Sequence, residues 1–381
     1  TFDERAAGMH ASADLLEAEV ETAARMLTTE MGKTLVQARS EVLKSAKNLR
    51  FYAEKAEEFM TGRELPAAAV GASRAYTRYE PIGAILAVMP WNYPLWQVIR
   101  FAAPALMAGN TVLLKHASNV PQSALYLDEL FERGGFPAGS FNTLLIGAAK
   151  VEGVLRDRRV VAATLTGSEP AGRSVAAIAG SEVKPVVLEL GGSDPFIVLP
   201  SADLPKAVAT AVTARTSNNG QACINAKRFI VHADVYDAFV EQFSAAMAAL
   251  RVGDPLDEST DLGPVATESG RIEVDELVQD ALAKGAVATA GGAPLDGPGW
   301  FYPATVITGI TPEMRLYAEE AFGPVASVYR AASVEDALRI ANDTTFGLSS
   351  AVWTQDAAEQ ELVVSGLDVG AVFVNGMSIS Y

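Results

Sequence analysis

The chain has a single cysteine, Cys223, in the stretch "SNNGQACINAKR" that runs from Ser217 to Arg228. A thiol in such a place is either a small buried hydrophobe or, once ionised, a nucleophile. The residues before it are polar and turn-forming. They put the sulfur at a junction of loop with helix or strand, where backbone amides can face it and favour the thiolate. A nucleophile also needs a proton acceptor. The three histidines, His10, His116 and His232, are scattered along the chain, and none has a recognisable partner, so a Cys-His pair is poorly supported. Glu189 ends the apolar run "KPVVLE", two residues before Gly191 and the adjoining Gly192. It is a candidate general base, with a solvated strand end as the alternative. Arg100 stands in an apolar helical segment and wants a carboxylate, either an internal Asp or Glu or one carried by a substrate. Trp96 lies one helical turn before it on the same face.

The elements around these residues follow from periodicity. From about residue 11 to residue 60 apolar side chains recur at helical steps, with Gly32 as a stop. "SRAYTRYEPIGAILAVMP" then reads as a surface hairpin feeding a strand buried on both faces. Strands "TVLLK", "FNTLLIG" and "VAATLTG" alternate with helices, which predicts a doubly wound parallel sheet with its binding crevice beyond the strand C-terminal ends. After a hinge near Gly191 and Gly192 the alternation restarts. We expect a domain over 1–190, a second α/β domain over 191–374, and in 375–381 the start of a tail; both ends of the chain read as trimmed. The cysteine turn would lie at the domain junction, a usual place for a cleft.

"GSEPAGRS" (167–174) has the spacing of a phosphate-binding loop but carries Arg173 where that loop needs lysine, so nucleotide hydrolysis is disfavoured. Its strand-turn-helix context still places Gly167, Ser168 and the amides of a helix N-terminus beside a bound pyrophosphate. The net charge of -16 opposes nucleic-acid binding, which rests on cations displacing counterions. No apolar run suits a membrane span, one cysteine forms no internal disulfide, and no metal-ligand cluster stands out. A cytoplasmic location is expected.

Six motifs in order, "MPWNYP" (89–94), "LLKHAS" (113–118), "LTGS" (165–168), "LELGG" (188–192), "NNGQAC" (218–223) and "EEAFGPV" (319–325), resemble the NAD(P)-dependent aldehyde dehydrogenase superfamily across essentially the whole chain. The resemblance implies a Rossmann-type cofactor domain, a catalytic domain and a small oligomerisation hairpin at about 62–79, assembled as a homodimer or a dimer of dimers. It makes Cys223 the nucleophile, Asn92 the side-chain oxyanion donor beside the Cys223 N–H, and Glu189 the base that activates water. Glu320 and Phe322 match the residues holding the nicotinamide ribose and ring, with Glu319 as the alternative register. Lys115 and Ser118 match the adenosine end, and Trp91, Gly167, Ser168 and Leu190 join the cofactor set. Ser118 replaces the glutamate of many NAD-preferring members, so NADP is expected to serve at least as well as NAD. The succinate semialdehyde dehydrogenase branch is the nearest in pattern; it implies a short aldehyde with a distal carboxylate, held by Arg100 with Trp96, Arg215 and Ser380 nearby. A broader aliphatic or amino-aldehyde dehydrogenase is the alternative, and a nucleotide-binding homologue without activity is the non-enzymatic one. His116 departs from the family's usual proline, which bears on loop stiffness more than on chemistry.

Overall fold

A computed structural model describes residues 1–380, so Tyr381, the last residue of the expected tail, lies outside the described residues. By internal packing the chain divides into two units, Thr1–Glu30 with Ala38–Leu190, and Met31–Gln37 with Gly191 onward.

The first unit opens with helices α1 (Phe2–Ala18), α2 (Val20–Met31) and α3 (Leu35–Phe59). Thr1 and Glu4 form a reciprocal capping box at the start of α1, satisfying amides that have no partner within the helix. Gly32, at φ +83°, ends α2 in a conformation that costs glycine little. The expected hairpin is thinner than two paired strands. Only Glu64 and Tyr76 bridge, antiparallel, because Pro66 lacks the N–H a ladder needs and Ala67–Val70 winds into a 3-10 turn.

Five strands follow, β1 (Ala84–Met89), β2 (Thr111–His116), β3 (Phe141–Thr143), β4 (Val160–Thr166) and β5 (Val186–Glu189), all parallel in the order β3-β2-β1-β4-β5. They are connected by α4 (Trp96–Met107), α5 (Pro121–Arg133), α6 (Val151–Arg156) and α7 (Glu169–Ser181). This is the doubly wound arrangement in which the strand order reverses beside β1. Of "FNTLLIG" only the first three residues form the strand, which lies at the sheet edge. Leu86, Leu155, Val160, Leu165 and Val175 build the core between sheet and helices.

The second unit carries β6 (Asp194–Val198), α8 (Leu204–Thr216), β7 (Ala226–His232), α9 (Ala233–Ala248), α10 (Glu268–Ala283), β8 (Val287–Ala290) and β9 (Thr305–Thr308). It continues through α11 (Arg315–Ala318), β10 (Val325–Ala331), α12 (Val334–Asn342), β11 (Ser350–Trp353), α13 (Ala357–Gly366) and β12 (Val372–Val374). The sheet order is β12-β11-β6-β7-β10-β9-β8, parallel except for β8 against β9. β6 and β11 are buried along their whole length, as strands covered by helices on both faces must be. Phe196, Phe229, Phe239, Phe243 and Trp353 fill one side of this sheet.

Candidate active site

In the first unit every motif residue sits at or just past the C-terminal end of a strand: Trp91 and Asn92 after β1, Lys115 and Ser118 at the end of β2, Gly167 and Ser168 after β4, Glu189 and Leu190 at the end of β5. That is where an open parallel sheet presents its ligand crevice. The register sets Val88 beside Lys115 and Thr166 beside Glu189. Asn92 is buried at 4% exposure, and its Oδ1 accepts the N–H of Tyr93 at 3.1 Å, so a donor role falls to Nδ2. Two contacts hold the turn that carries it. His116, buried on β2, lies with Nε2 2.9 Å from the carbonyl of Pro94, while its Nδ1 accepts the N–H of Ala117 at 2.9 Å. Nδ1 also lies 3.3 Å from the Met89 carbonyl; the two shorter contacts fit the neutral tautomer with the proton on Nε2, and burial pushes the imidazole down to about 4. Glu41 of α3 is also buried and accepts the N–H groups of Leu95 and Trp96 at 2.9 and 3.0 Å. It places a carboxylate on the positive end of α4.

Lys115 is partly buried, which lowers its affinity for a proton. Ser118 is exposed, as is Ser168, which caps α7 without a side-chain bond of its own. Leu190 packs on Gly172, where a Cβ would come within 2.5 Å of its Cδ2. Arg173 pairs with Glu169 of its own helix, and the loop is not built as a lysine phosphate clamp. Of the two partners expected for Arg100, the structure supplies an internal carboxylate: Nη2 lies 3.3 Å from Glu189 Oε2 and 3.4 Å from Thr166 Oγ1. Both side chains keep exposed surface, so the pair is open to a competing anion. Trp96 is a correction. Its ring is 3% exposed and covered by the Lys44 ammonium at 3.8 Å, which makes it part of the packing and not a surface for a ligand.

In the second unit the candidate residues lie at the opposite, N-terminal ends of its strands. Cys223 precedes β7, while Glu320 and Phe322 precede β10, the strand paired with β7. Asn218, Asn219 and Gly220 stand consecutively in left-handed backbone, with φ of 57°, 55° and 75°, a strained run for non-glycine residues. It persists because its neighbours over-determine it. Asn219 donates to the carbonyls of Gly32 and Pro264 at 2.8 and 3.0 Å and accepts from the Gly263 N–H at 3.0 Å. Asn225 accepts the Ala222 N–H at 2.7 Å and donates to the Ala214 carbonyl at 2.8 Å. Gly220 lies against Gly323 and Pro324, so closely that a Cβ would fall 2.4 Å from the Gly323 carbonyl carbon. At the end of this turn Cys223 is partly exposed.

Arg215 is the second correction. It is fully buried, donates to the carbonyls of Gly220 and, at 3.0 Å, Ala226, and is pulled down to about 9 by that burial. It braces the cysteine turn from inside and has no surface to offer a substrate. Ser380 is partly buried, and the serine anchored beside it is Ser378, which Ser349 joins at 2.8 Å to buried Asp194. Burial raises Asp194 to about 6 against the pull of Lys227 and of the Ser349 bonds. Gly191 and Gly192 have a steric role as well. A Cβ on Gly191 would sit 2.4 Å from Glu320 Oε2, and one on Gly192 would sit 2.6 Å from the Cys223 carbonyl oxygen. Glu320 accepts the Gly192 N–H at 3.2 Å and pairs with Lys227 at 2.9 Å, while Glu319 pairs with Arg315. The inward carboxylate of the two is therefore Glu320. Sequence reasoning missed Glu41, Asn225 and Lys227. Glu41 lies in an amphipathic helix and Lys227 in a strand, patterns that signal nothing about a buried polar partner, while Asn225 ends the cysteine turn, where a turn-forming residue is ordinary.

A thiol on a strained, hydrogen-bonded turn, a carboxylate ending a parallel strand, and free-facing amides at a helix start are the parts of a cysteine-dependent dinucleotide enzyme. The chain belongs to the aldehyde dehydrogenase family, whose model matches residues 1–381. It is 64% identical over 381 residues to the succinate-semialdehyde dehydrogenase (NADP+) of Mycolicibacterium paratuberculosis strain ATCC BAA-968 / K-10, covering all of this chain and 81% of that protein. It is equally identical to succinate-semialdehyde dehydrogenase (NADP+) 1 of Mycobacterium tuberculosis strain ATCC 25618 / H37Rv, of which it covers 83%. Among solved structures, the succinic semialdehyde dehydrogenase of Streptococcus pyogenes in complex with NADP+ superposes with a TM-score of 0.96 at 37% identity, over all of this chain and 83% of that one.

Proposed function

We propose that the chain oxidises a short aldehyde bearing a distal carboxylate, succinate semialdehyde above all, to the acid with reduction of NADP, and that NAD serves as a second cofactor. The observation that carries the chemistry is the placement of Cys223, partly exposed at the end of a turn held in left-handed backbone, in the same unit as Glu320 and Phe322. The substrate and cofactor follow the relatives' names at 64% identity over the full chain. The residues present fit a dinucleotide: the amides that open α7 suit a pyrophosphate, and Lys115 with exposed Ser118 presents no carboxylate against a 2'-phosphate. Trp91, Gly167, Ser168 and Leu190 would line it, with Glu320 and Phe322 at its nicotinamide end.

In this reading the Cys223 thiolate attacks the aldehyde carbonyl carbon, and the oxygen takes the electron pair of the broken π bond. Asn92 Nδ2 and the Cys223 N–H stabilise that oxyanion. When bound, NADP would supply a hydride acceptor held by Glu320 and Phe322, and loss of hydride from the tetrahedral carbon would leave a thioester on Cys223. Glu189 then takes a proton from water as the water oxygen attacks the thioester. Collapse breaks the C–S bond, frees the acid and returns the thiolate. A substrate carboxylate competes with Glu189 for Arg100, which both binds the substrate and releases the base.

Assembly as a homodimer or dimer of dimers through the segment near 62–79, and a cytoplasmic location, belong to the same reading. The Arg100–Glu189 pair is also the one observation favouring a broader aliphatic or amino-aldehyde specificity, since it satisfies the arginine without substrate.

Spectrophotometric NADPH formation with aldehydes of matched length and differing terminal charge tests these readings. We expect succinate semialdehyde to exceed butanal in kcat/KM by at least about a hundredfold, a preference of the size a buried polar contact can supply. Arg100→Ala should erase that preference while sparing butanal, and Cys223→Ala should abolish turnover of both. Equal kcat/KM for the two aldehydes would refute the carboxylate assignment. No reduction of NADP or NAD with any aldehyde would refute the dehydrogenase.

A further inference from the structure

Lys227 lies at the second position of β7, four residues past Cys223, and is 2% exposed. Its Nζ donates to the Cys223 carbonyl oxygen at 2.7 Å and to the Ala222 carbonyl oxygen at 2.9 Å. It also pairs with Glu320 Oε1 at 2.9 Å and lies 6.0 Å from the centroid of the Phe322 ring. A lysine ammonium has three N–H donors, and three acceptors meet it here. A buried ion pair rarely stabilises a fold more than apolar residues of the same volume would. Stability alone therefore gives a poor account of a charge placed under a reactive loop.

The geometry of the peptide gives a better one. The Ala222 carbonyl and the Cys223 N–H belong to one planar trans peptide and point in opposite directions. A cation holding the carbonyl therefore aims the N–H to the other side and strengthens it as a donor, because hydrogen bonds along a chain polarise one another. That N–H is the backbone donor assigned above to the oxyanion. The far arm of the same lysine holds the carboxylate assigned to the nicotinamide ribose.

We propose that Lys227 is a positioning residue that locks the Cys223 turn to Glu320, so that the oxyanion donor and the cofactor seat are set as one piece. The proposal rests on the dehydrogenase reading for its kinetic consequences but not for its structural one.

Because the chain has one thiol, alkylation by iodoacetamide of the cofactor-free protein reads the Cys223 turn without turnover. Glu320→Gln keeps the shape and weakens the pull on Lys227. It should change the alkylation rate at least about threefold, and should have no further effect when added to Lys227→Met, the non-additivity expected of residues that act through one contact. In steady state, Lys227→Met should lower kcat and raise KM for NADP, each by about tenfold or more, where a purely structural defect would only reduce the active fraction. Alkylation rates unchanged in both variants, or effects that simply add, would overturn the coupling. If Lys227→Met does not fold, an unchanged alkylation rate in Glu320→Gln overturns it alone. Absence of NADP reduction by the unaltered protein would instead refute the dehydrogenase reading, and the alkylation result stands apart from it.

Discussion

In the reading proposed above, Ser118 sets cofactor choice through a missing charge. A carboxylate at the end of β2 would accept from a ribose 2'-hydroxyl and repel a 2'-phosphate; the exposed serine there does neither and can donate to the phosphate. Ser118→Glu is expected to move the ratio of kcat/KM for NADP over NAD toward NAD by about a hundredfold, the size of a desolvated like-charge contact, measured with one aldehyde at fixed salt. A ratio that does not move would place the phosphate elsewhere. Arginine shows the opposite lesson, because residue type does not reveal where the charge is spent. Arg100 and Arg215 look alike in sequence, each in a helical run before a motif. In the fold Arg100 keeps exposed surface beside Glu189, while Arg215 is sealed in and spent on backbone carbonyls. Five donors in a rigid fork suit either use, and only burial separates them.

At the scale of elements, the candidate residues of the two sheets lie at opposite strand ends, in the loops of each unit. The turn before β7 depends on Gly220, which combines φ +75° with backbone of Gly323 and Pro324 inside the volume of a Cβ. Gly220→Ala is expected to destabilise the protein by about 3 kcal/mol, from left-handed strain together with overpacking. A urea titration would read that loss. A shift below about 0.5 kcal/mol, the usual size for an unremarkable surface change, would mean that the turn yields easily. The alternation of strand and helix could be read from periodicity. The segment near 62–79 could not, since one antiparallel bridge and a 3-10 turn replace the expected strands. Alternation there records exposure on a surface ribbon without enough partners to pair.

For the whole molecule, two buried groups set opposing responses to acid. His116, ordinarily at 6.5, is held at about 4 by burial. The unfolded chain therefore takes up a proton that the folded protein refuses. The contribution is complete above 6.5 and is lost as pH falls toward 4. Asp194, ordinarily at 3.8, is raised to about 6 by burial, so its contribution is complete below 3.8 and is lost as pH rises to 6. Each is worth about 3 kcal/mol across its window, and between 4 and 6 they nearly cancel. The stability advantage of the unaltered protein over His116→Gln should shrink by about 3 kcal/mol between pH 7 and pH 4, followed by urea unfolding at each pH. A difference independent of pH would show that the imidazole is not held neutral. Among the described residues no helix is long and apolar enough to cross a membrane.

The sequence by itself determined the α/β class, the parallel alternation and, through six ordered motifs, the family. Those signals are local: strand burial, glycine where backbones close up, turn residues where the chain reverses. Tertiary structure decided where each charge is spent. It gave Glu189 to Arg100, backbone carbonyls to Arg215, a covering lysine to Trp96, and Cys223, Glu320 and Phe322 to a single buried lysine. Propensity acts over a few neighbouring residues, whereas a buried ion must find its partner across the fold, and the linear pattern does not record that distance.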